Sequence, residues 1–226
     1  MDKCTVVTMP GDGIGNQVLP EAIRVLNAIG FEANYVHADI GWESWCNEGN
    51  ALPDRTIDLL AKHKLGLFGA ITSKPKKEAD AELDPALRGK GYTYYSPIVT
   101  MRQRFGLDIC IRPCVGFPGN PLNFIRKQIT GGFEEPQVNV VVFRQNTEGL
   151  YCGVEWTNPP ASVRSALESH AKFKPFAGTR GEDLAITVRI IMRHNAERIC
   201  RAAFEWAKKY GYKNVTICEK DRKSVV

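Results

Sequence analysis

Hydrophobic residues follow two different periods along the first hundred positions of the chain. Short β-branched runs are typical of buried strands, and apolar residues recurring every three to four positions are typical of helices. The pattern predicts strands at 4–9, at about 31–37 and from Leu65 to Phe68, and helices at 17–29 and 54–63. Strands that alternate with helices predict an α/β fold with a parallel sheet.

The pattern becomes less regular in the rest of the chain. It predicts a helix from Ser96 to about Phe105, strands near 107–112, 137–143, 150–155 and Val215–Cys218, and a long helix from about Asp183 to Lys209. Irregular structure is expected at 72–95 and 156–181, and loops at 113–136, where prolines and glycines cluster. The change in pattern near residue 106 predicts two domains, 1–106 and 107–226.

Composition is that of a soluble globular protein, with 226 residues, 43% of them hydrophobic and 24% charged. The seven cysteines form no C-x-x-C pair, and no histidine lies at ligand spacing from a cysteine, which argues against a zinc site or a disulfide framework. The net charge of +5 comes from dispersed lysines and arginines, so binding to nucleic acid is not expected. No apolar run is long enough for a membrane span and no leader is recognised, which predicts a cytoplasmic protein.

Three glycines at alternate positions, Gly11, Gly13 and Gly15, separate the first strand from the first helix. Ligand loops of α/β folds lie at such carboxyl ends of strands. The spacing does not match G-x-G-x-x-G, because position 16 is Asn and the third glycine comes one residue early. The loop is not a phosphate-binding P-loop either, because it lacks G-K-S/T. A functional loop and an ordinary tight turn both remain open.

Three arginines are the next candidates. Arg102 lies in a predicted helix, whereas Arg112 and Arg144 end predicted strands, where a guanidinium group can bind a carboxylate through two hydrogen bonds. Tyr151 closes a polar run and could act as an acid, and Lys220 could act as a base. Taken singly, the arginines and Lys220 also suit ordinary surface positions, and Tyr151 suits a packing role.

Three ordered motifs resemble the isocitrate/isopropylmalate dehydrogenase family. Residues 9–15, MPGDGIG, resemble its P-G-D-G-I-G signature. Residues 102–113 match its R-x-x-x-x-L-x-x-x-x-R-P element. Residues 144–151, RQNTEGLY, resemble R-E-N-T-E-G-x-Y, with Gln145 in place of the usual glutamate. The resemblance implies an α/β fold with a large parallel-sheet domain and a smaller α/β domain.

The resemblance also implies roles for individual residues. Arg102, Arg112 and Arg144 would hold the substrate carboxylates, Tyr151 would protonate the enolate left after decarboxylation, and Lys220 would help to deprotonate the 2-hydroxyl group across a homodimer interface. Ser96 matches a substrate-binding serine, and Ile71 and Thr72 are expected at the cofactor. The cofactors implied are NAD or NADP with Mg2+ or Mn2+, and the metal-binding aspartates of the family lie beyond this chain.

The substrate expected from the resemblance is isocitrate, converted to 2-oxoglutarate, because Ser96 matches the isocitrate enzymes. Ile98 and Val99 resemble an isopropylmalate type of pocket, so 3-isopropylmalate, homoisocitrate or a malate-type acid is the alternative. A second alternative to an active isocitrate dehydrogenase is a subunit that keeps the family fold without catalysing a reaction. The chain is expected to be truncated at its C-terminus and to have no dehydrogenase activity by itself; measurable turnover with Mg2+ and NAD(P)+ would contradict this.

Overall fold

The computed structural model describes residues 3–127 and 130–218. The chain divides into two compact units, Met1–Gly106 and Leu107–Val226. That the first belongs to a large domain and the second to a smaller, dimer-forming domain stays a prediction. Within the described residues, no helix is both long and apolar enough to cross a lipid bilayer.

A three-stranded parallel sheet organises the first unit. The elements of this unit are β1 (Cys4–Gly11), α1 (Gly15–Ala28), β2 (Ala33–His37), α2 (Trp42–Glu48), α3 (Asp54–His63), β3 (Gly66–Ala70), α4 (Lys76–Glu82) and α5 (Pro97–Arg104). Strand β1 lies in the centre and pairs in parallel with β2 and with β3. The parallel sheet and the predicted elements of residues 4–68 and 96–105 are therefore confirmed to within a few residues.

Two apolar clusters stabilise this unit. The first places Val7 and Met9 of β1 against Leu60 of α3. The second packs Trp42 and Trp45 of α2 against residues of and beside α4. Burial of such side chains contributes roughly 1.5–3 kcal/mol each, so the first cluster fixes β1, including Met9 near its carboxyl end, against α3.

The expectation of irregular structure at 72–95 is wrong in part, because α4 spans Lys76–Glu82. The helix contributes Ala79 to the core, and Leu83, the residue after the helix, lies four positions later. Two apolar positions among charged residues are too weak a pattern to predict a helix from the sequence. Tertiary packing stabilises the helix instead, since both side chains are buried. The Trp45 indole N–H also donates to the Ala79 carbonyl oxygen at 2.9 Å.

An antiparallel strand pair and one long helix organise the second unit. Its elements are β4 (Ile109–Val115), β5 (Ile125–Arg126), β6 (Phe133–Glu134), β7 (Asn139–Gln145), β8 (Glu155–Thr157), α6 (Ala161–Glu168), β9 (Ala185–Thr187) and α7 (Arg193–Tyr210). Strand β4 pairs with β7 over seven residue pairs. Helix α7 packs on β7, with the rings of Phe143 and Trp206 edge to face at 5.9 Å.

The loop predicted at 113–136 is largely confirmed, although β4 continues through Pro113 to Val115 and β5 pairs with β6. Proline is tolerated in β4 because, in the part of the chain that the structure describes, β7 is the one strand paired with β4, so the other side of β4 needs no backbone donor. The irregular stretch expected at 156–181 is wrong in part, since it contains α6.

Two predictions after residue 150 are wrong. In place of a strand at 150–155 there is a 3₁₀ turn at Leu150–Cys152, and β8 begins only at Glu155. Gly149 and Gly153, with φ of +67° and +66°, bend the chain on either side of this turn. Helix α7 begins at Arg193 rather than near Asp183, because the β-branched run around Ile186 forms β9 and pairs with β8.

The strand predicted at Val215–Cys218 is not found in the described part of the chain. A strand needs a hydrogen-bonded neighbour, and none of the described strands pairs with this segment. Its side chains instead lie along an apolar groove of about 430 Å³ that β7 and α7 also line.

Candidate functional site

The glycine-rich loop after β1 is organised by the carboxylate of Asp12. Asp12 Oδ2 accepts hydrogen bonds from the backbone N–H groups of Trp42 at 2.7 Å and Thr72 at 2.8 Å. Asp12 Oδ1 accepts from the N–H of Glu43 at 3.1 Å. A negative charge thus meets the unpaired N–H groups at the start of α2, and the same side chain fixes the segment that follows β3.

Glycine is required in this loop for close packing. A Cβ atom at Gly11 would lie 2.0 Å from the carbonyl oxygen of Ala70, and one at Gly15 would lie 2.0 Å from that of Pro10. A Cβ atom at Gly69 would likewise lie 2.4 Å from the carbonyl oxygen of Pro10. The structure therefore gives these two loop glycines and Asp12 a structural role, joining the carboxyl ends of β1 and β3.

The predicted cofactor residues, Ile71 and Thr72, follow β3 at this edge of the sheet. Both are half-buried. Thr72 is held from two sides, because its N–H donates to Asp12 and its carbonyl oxygen accepts from the Tyr94 hydroxyl at 3.4 Å. This is the edge of a parallel sheet where ligands of α/β proteins bind.

The predicted substrate residues of the first unit lie on and beside α5. Ser96 occupies the N-cap position and Pro97 the first turn, but the Ser96 side chain makes no capping hydrogen bond. Its hydroxyl group is therefore not committed to the helix. Arg102 lies in the last turn of α5, half-buried, where a cation is favourable for the helix dipole.

The register of β4 and β7 places two arginines on one face of the second unit. Cys110 lies opposite Arg144, and Arg112 lies opposite Val142. Because side chains two residues apart share a face of a strand, Arg112 and Arg144 are diagonal neighbours on the same face. Arg112 Nε donates to Cys110 Sγ at 3.2 Å, and this hydrogen bond raises the pKa of the guanidinium group above its ordinary value.

Tyr151 joins this pair of arginines. Arg144 Nη1 donates to the Tyr151 hydroxyl oxygen at 3.0 Å, and the centre of the guanidinium group lies 5.2 Å from the centroid of the tyrosine ring. The phenol side chain is 44% exposed. A half-exposed acid beside two cations can donate a proton to an anion held by those cations.

The turn between β7 and Tyr151 is held by its own polar side chains. Gln145 Oε1 accepts from the backbone N–H groups of Thr147 at 2.8 Å and Glu148 at 2.6 Å. Asn146 is buried and accepts from Arg144 Nη2 at 2.9 Å, which orients the guanidinium group. An amide at position 145 therefore folds the turn in place of the glutamate usual in the motif.

No ion pair between a carboxylate and either Arg112 or Arg144 occurs among the described residues. Two guanidinium groups without acidic partners favour binding of an anion from outside the chain. Lys220 lies outside the described residues. Arg102 and Ser96 belong to the other unit, so the structure brings together three of the predicted residues, Arg112, Arg144 and Tyr151.

Sequence reasoning missed three contributors to this site. Asn146 and Glu148 were only part of a polar run, and their burial could not be recognised from polarity alone. Asn195 was taken as an interior position of a longer helix, although it lies in the first turn of α7. The neighbour Cys110 could have been found, since it precedes Arg112 by two positions on a predicted strand.

Comparison with known proteins shows what the chain is similar to. The profile of the family described as Isocitrate/isopropylmalate dehydrogenase matches residues 5–223. Homoisocitrate dehydrogenase of Methanocaldococcus jannaschii is 36% identical over 95% of this chain and 51% of its own length. Protein DlpA of Legionella pneumophila is 32% identical over 97% of this chain and 33% of its own length.

A crystal structure of isocitrate dehydrogenase from Methylococcus capsulatus superimposes with a TM-score of 0.64 at 25% identity, over 92% of this chain and 48% of that one. The chain thus spans about a third to a half of the length of these relatives. The family match covers nearly the whole chain and includes all three motifs. The chain belongs to the isocitrate/isopropylmalate dehydrogenase family.

Proposed function

We propose that this chain forms part of an NAD(P)-dependent dehydrogenase that oxidises and decarboxylates a 2-hydroxy polycarboxylic acid, isocitrate, to 2-oxoglutarate. The observation that supports this most is the group formed by Arg112, Arg144 and Tyr151. Two cations on one strand face, with a phenol hydrogen-bonded to one of them, suit a substrate that carries several carboxylates and later needs a proton.

Each side chain has a separate task in this proposal. Arg112 and Arg144 bind and orient carboxylates of the substrate, together with Arg102 and, at the distal carboxylate, Ser96. Tyr151 donates its proton to the carbon from which carbon dioxide has left. Lys220 helps to remove the proton of the 2-hydroxyl group, since hydride leaves readily only from an alkoxide-like carbon.

The cofactors also belong to the proposal. Ile71 and Thr72, at the carboxyl end of β3, are the described residues that would contact NAD or NADP, which accepts the hydride when bound. The described residues contain no group of three His, Cys, Asp or Glu side chains arranged for a metal ion. Dependence on Mg2+ or Mn2+ and assembly into a homodimer with shared sites rest on the family resemblance alone, and a cytoplasmic location rests on the pattern of the sequence alone.

A second substrate class has one observation in its favour. Ile98 and Val99 of α5 are half-buried apolar residues close to Ser96 and Arg102. Apolar side chains there suit the branched alkyl group of 3-isopropylmalate better than the third carboxylate of isocitrate. The hydroxyl of Ser96, which makes no capping hydrogen bond, favours the carboxylate.

Titration calorimetry on the chain tests the anion site directly. We expect isocitrate to bind more tightly than 3-isopropylmalate. We expect Arg144→Met to weaken isocitrate binding by tenfold or more, since hydrogen bonds to charged groups are worth roughly 1.5–3 kcal/mol. Arg126→Met is the matched control, because Arg126 is an exposed arginine on β5, outside the strand pair that forms the site.

Two results would contradict the proposal. Equal weakening of isocitrate binding in Arg144→Met and Arg126→Met would show that only overall charge matters. Tighter binding of 3-isopropylmalate than of isocitrate would assign the alternative substrate class. In the whole protein, the same ranking is expected for the rate of NAD(P)+ reduction with the two acids.

A further inference from the structure

Glu148 is a buried carboxylate with no cationic partner among the described residues. It is only 8% exposed. Its Oε1 accepts from the Asn195 side-chain amide at 2.5 Å, and its Oε2 accepts from the backbone N–H of Met192 at 3.1 Å. Burying a charge is costly unless hydrogen bonds replace the lost water, so these two contacts fix the side chain in one place.

Both donors belong to the start of helix α7. Met192 is the N-cap residue and Asn195 lies in the first turn. The first turn of α7 carries no acidic residue of its own, and a negative charge at this end stabilises a helix. Glu148 supplies that charge from a segment 44 residues earlier in the chain.

The backbone of Glu148 is fixed as well. Its N–H donates to Gln145 Oε1 at 2.6 Å, and its carbonyl oxygen accepts from the N–H of Tyr151 at 3.2 Å. The adjacent Gly149 donates to the carbonyl oxygen of Ile190 at 2.9 Å, just before α7. The turn that carries Tyr151 is therefore attached to the beginning of α7 by one backbone contact and one side chain.

We propose that Glu148 is a positioning residue for Tyr151. Its carboxylate fastens the turn from Gln145 to Tyr151 onto the first turn of α7, and this holds the phenol against Arg144. Among the described residues, Tyr151 makes its hydrogen bonds to Arg144 and within its own turn. The importance of this placement for catalysis rests on the proposed function, whereas the placement itself can be measured without any turnover.

The test follows the signal of Tyr151 by NMR in the chain labelled with 13C at the tyrosine Cζ atoms. Seven tyrosines are present, and Tyr151→Phe identifies the signal that belongs to Tyr151. In Glu148→Ala both hydrogen bonds to α7 are lost, and we expect the Tyr151 signal to move or broaden. In Glu148→Gln we expect it to stay near its wild-type position. The oxygen of the new glutamine side chain can accept from the Met192 N–H. Its NH2 group can donate to the side-chain oxygen of Asn195 once the Asn195 amide has rotated.

Glu197→Ala is the control, because Glu197 also lies near the start of α7 but forms an exposed ion pair with Arg193. A residue that only stabilises α7 would lower the urea midpoint and leave the Tyr151 signal of the folded protein in place. That result in Glu148→Ala would overturn the proposal.

A second variant is available if Glu148→Ala does not fold. Asn195→Ala removes one of the two contacts of Glu148 with α7 and is expected to move the Tyr151 signal in part. An unmoved Tyr151 signal in Asn195→Ala would overturn the proposal too. Failure of the wild-type chain to bind isocitrate would count against the proposed function alone.

Discussion

Single carboxylates have two kinds of partner in this chain. Asp12 and Glu148 accept backbone N–H groups at the start of helices α2 and α7. Asp39 and Glu48 instead share Arg55, whose Nη2 lies 2.8 Å from Asp39 Oδ2 and 2.6 Å from Glu48 Oε1. The first kind fixes the loop after β1 and the turn before Tyr151, and the second kind is expected to make the stability of the first unit depend on pH.

The Arg55 network predicts a loss of stability in acid. Hydrogen bonds from Arg55 hold the pKa of Asp39 and of Glu48 below their ordinary values of 3.8 and 4.5. A lowered pKa in the folded state stabilises the protein at pH values above the ordinary one, and this contribution disappears as pH falls through the folded-state pKa. We expect the free energy of unfolding of the wild type to be larger than that of Arg55→Met at pH 7. This difference should shrink as the pH falls from about 5 to about 2.

Urea unfolding at several pH values measures this difference. The effect will be small at every pH, since the three side chains are about half exposed. Arg24→Met is the control, because Arg24 forms only a single exposed ion pair, with Glu21. A difference between wild type and Arg55→Met that stays constant down to pH 2 would show that the network is not the cause.

Whole elements were predictable where one local signal was sufficient. The β-branched run of β1 and the amphipathic stripe of α3 needed no tertiary information. Residues 183–192 were wrongly predicted as the start of α7, because isoleucines at helical spacing also suit a strand. Pairing with β8 decides between helix and strand here. In the same way, Arg112 and Arg144 were expected to share an anion site, but the register that makes them neighbours is a long-range property.

The packing of α1 against β3 predicts a sharp difference between two Gly→Ala substitutions. In Gly15→Ala the new Cβ would lie 2.0 Å from the Pro10 carbonyl oxygen and 2.7 Å from the Ala70 nitrogen, so the backbone must shift. We expect a loss of about 1–3 kcal/mol or more in the free energy of unfolding. Gly178→Ala is the control, since a Cβ there meets nothing within 4 Å.

Thermal and urea unfolding of both variants measure the two free energies. Gly178→Ala is expected to be neutral or slightly stabilising, because alanine reduces the freedom of the unfolded chain. Equal stability of Gly15→Ala and Gly178→Ala would mean that α1 and β3 are not packed as closely as the structure shows.

At the scale of the molecule, burial is unequal between the two units. Among the described residues, every buried hydrophobic side chain except Ala207 belongs to the unit Met1–Gly106. In the unit Leu107–Val226, β7 leaves Val140 and Val142 about half exposed. Local stability follows buried apolar contact, so the two units should differ in how often they open.

Hydrogen exchange followed by mass spectrometry tests this difference. We expect peptides that contain β1 to exchange at least tenfold more slowly than peptides that contain β7, which corresponds to about 1.4 kcal/mol in opening free energy. The parallel sheet around Val7, which is fully buried, provides the protection. Equal exchange in β1 and β7 would indicate that the chain opens as one cooperative unit instead.

The ladder of β4 and β7 also limits how this part of the protein can evolve. Deleting a single residue inside either strand would turn every later side chain of that strand to the opposite side of the sheet. If the deletion precedes Arg112 in β4 or Arg144 in β7, that guanidinium group would then point towards the aromatic layer beneath α7, and the site would lose half its positive charge with no arginine replaced. Changes of length in the connection between the two strands, outside β5 and β6, leave this register unchanged, so strand length, as much as residue identity, preserves the charge of this surface.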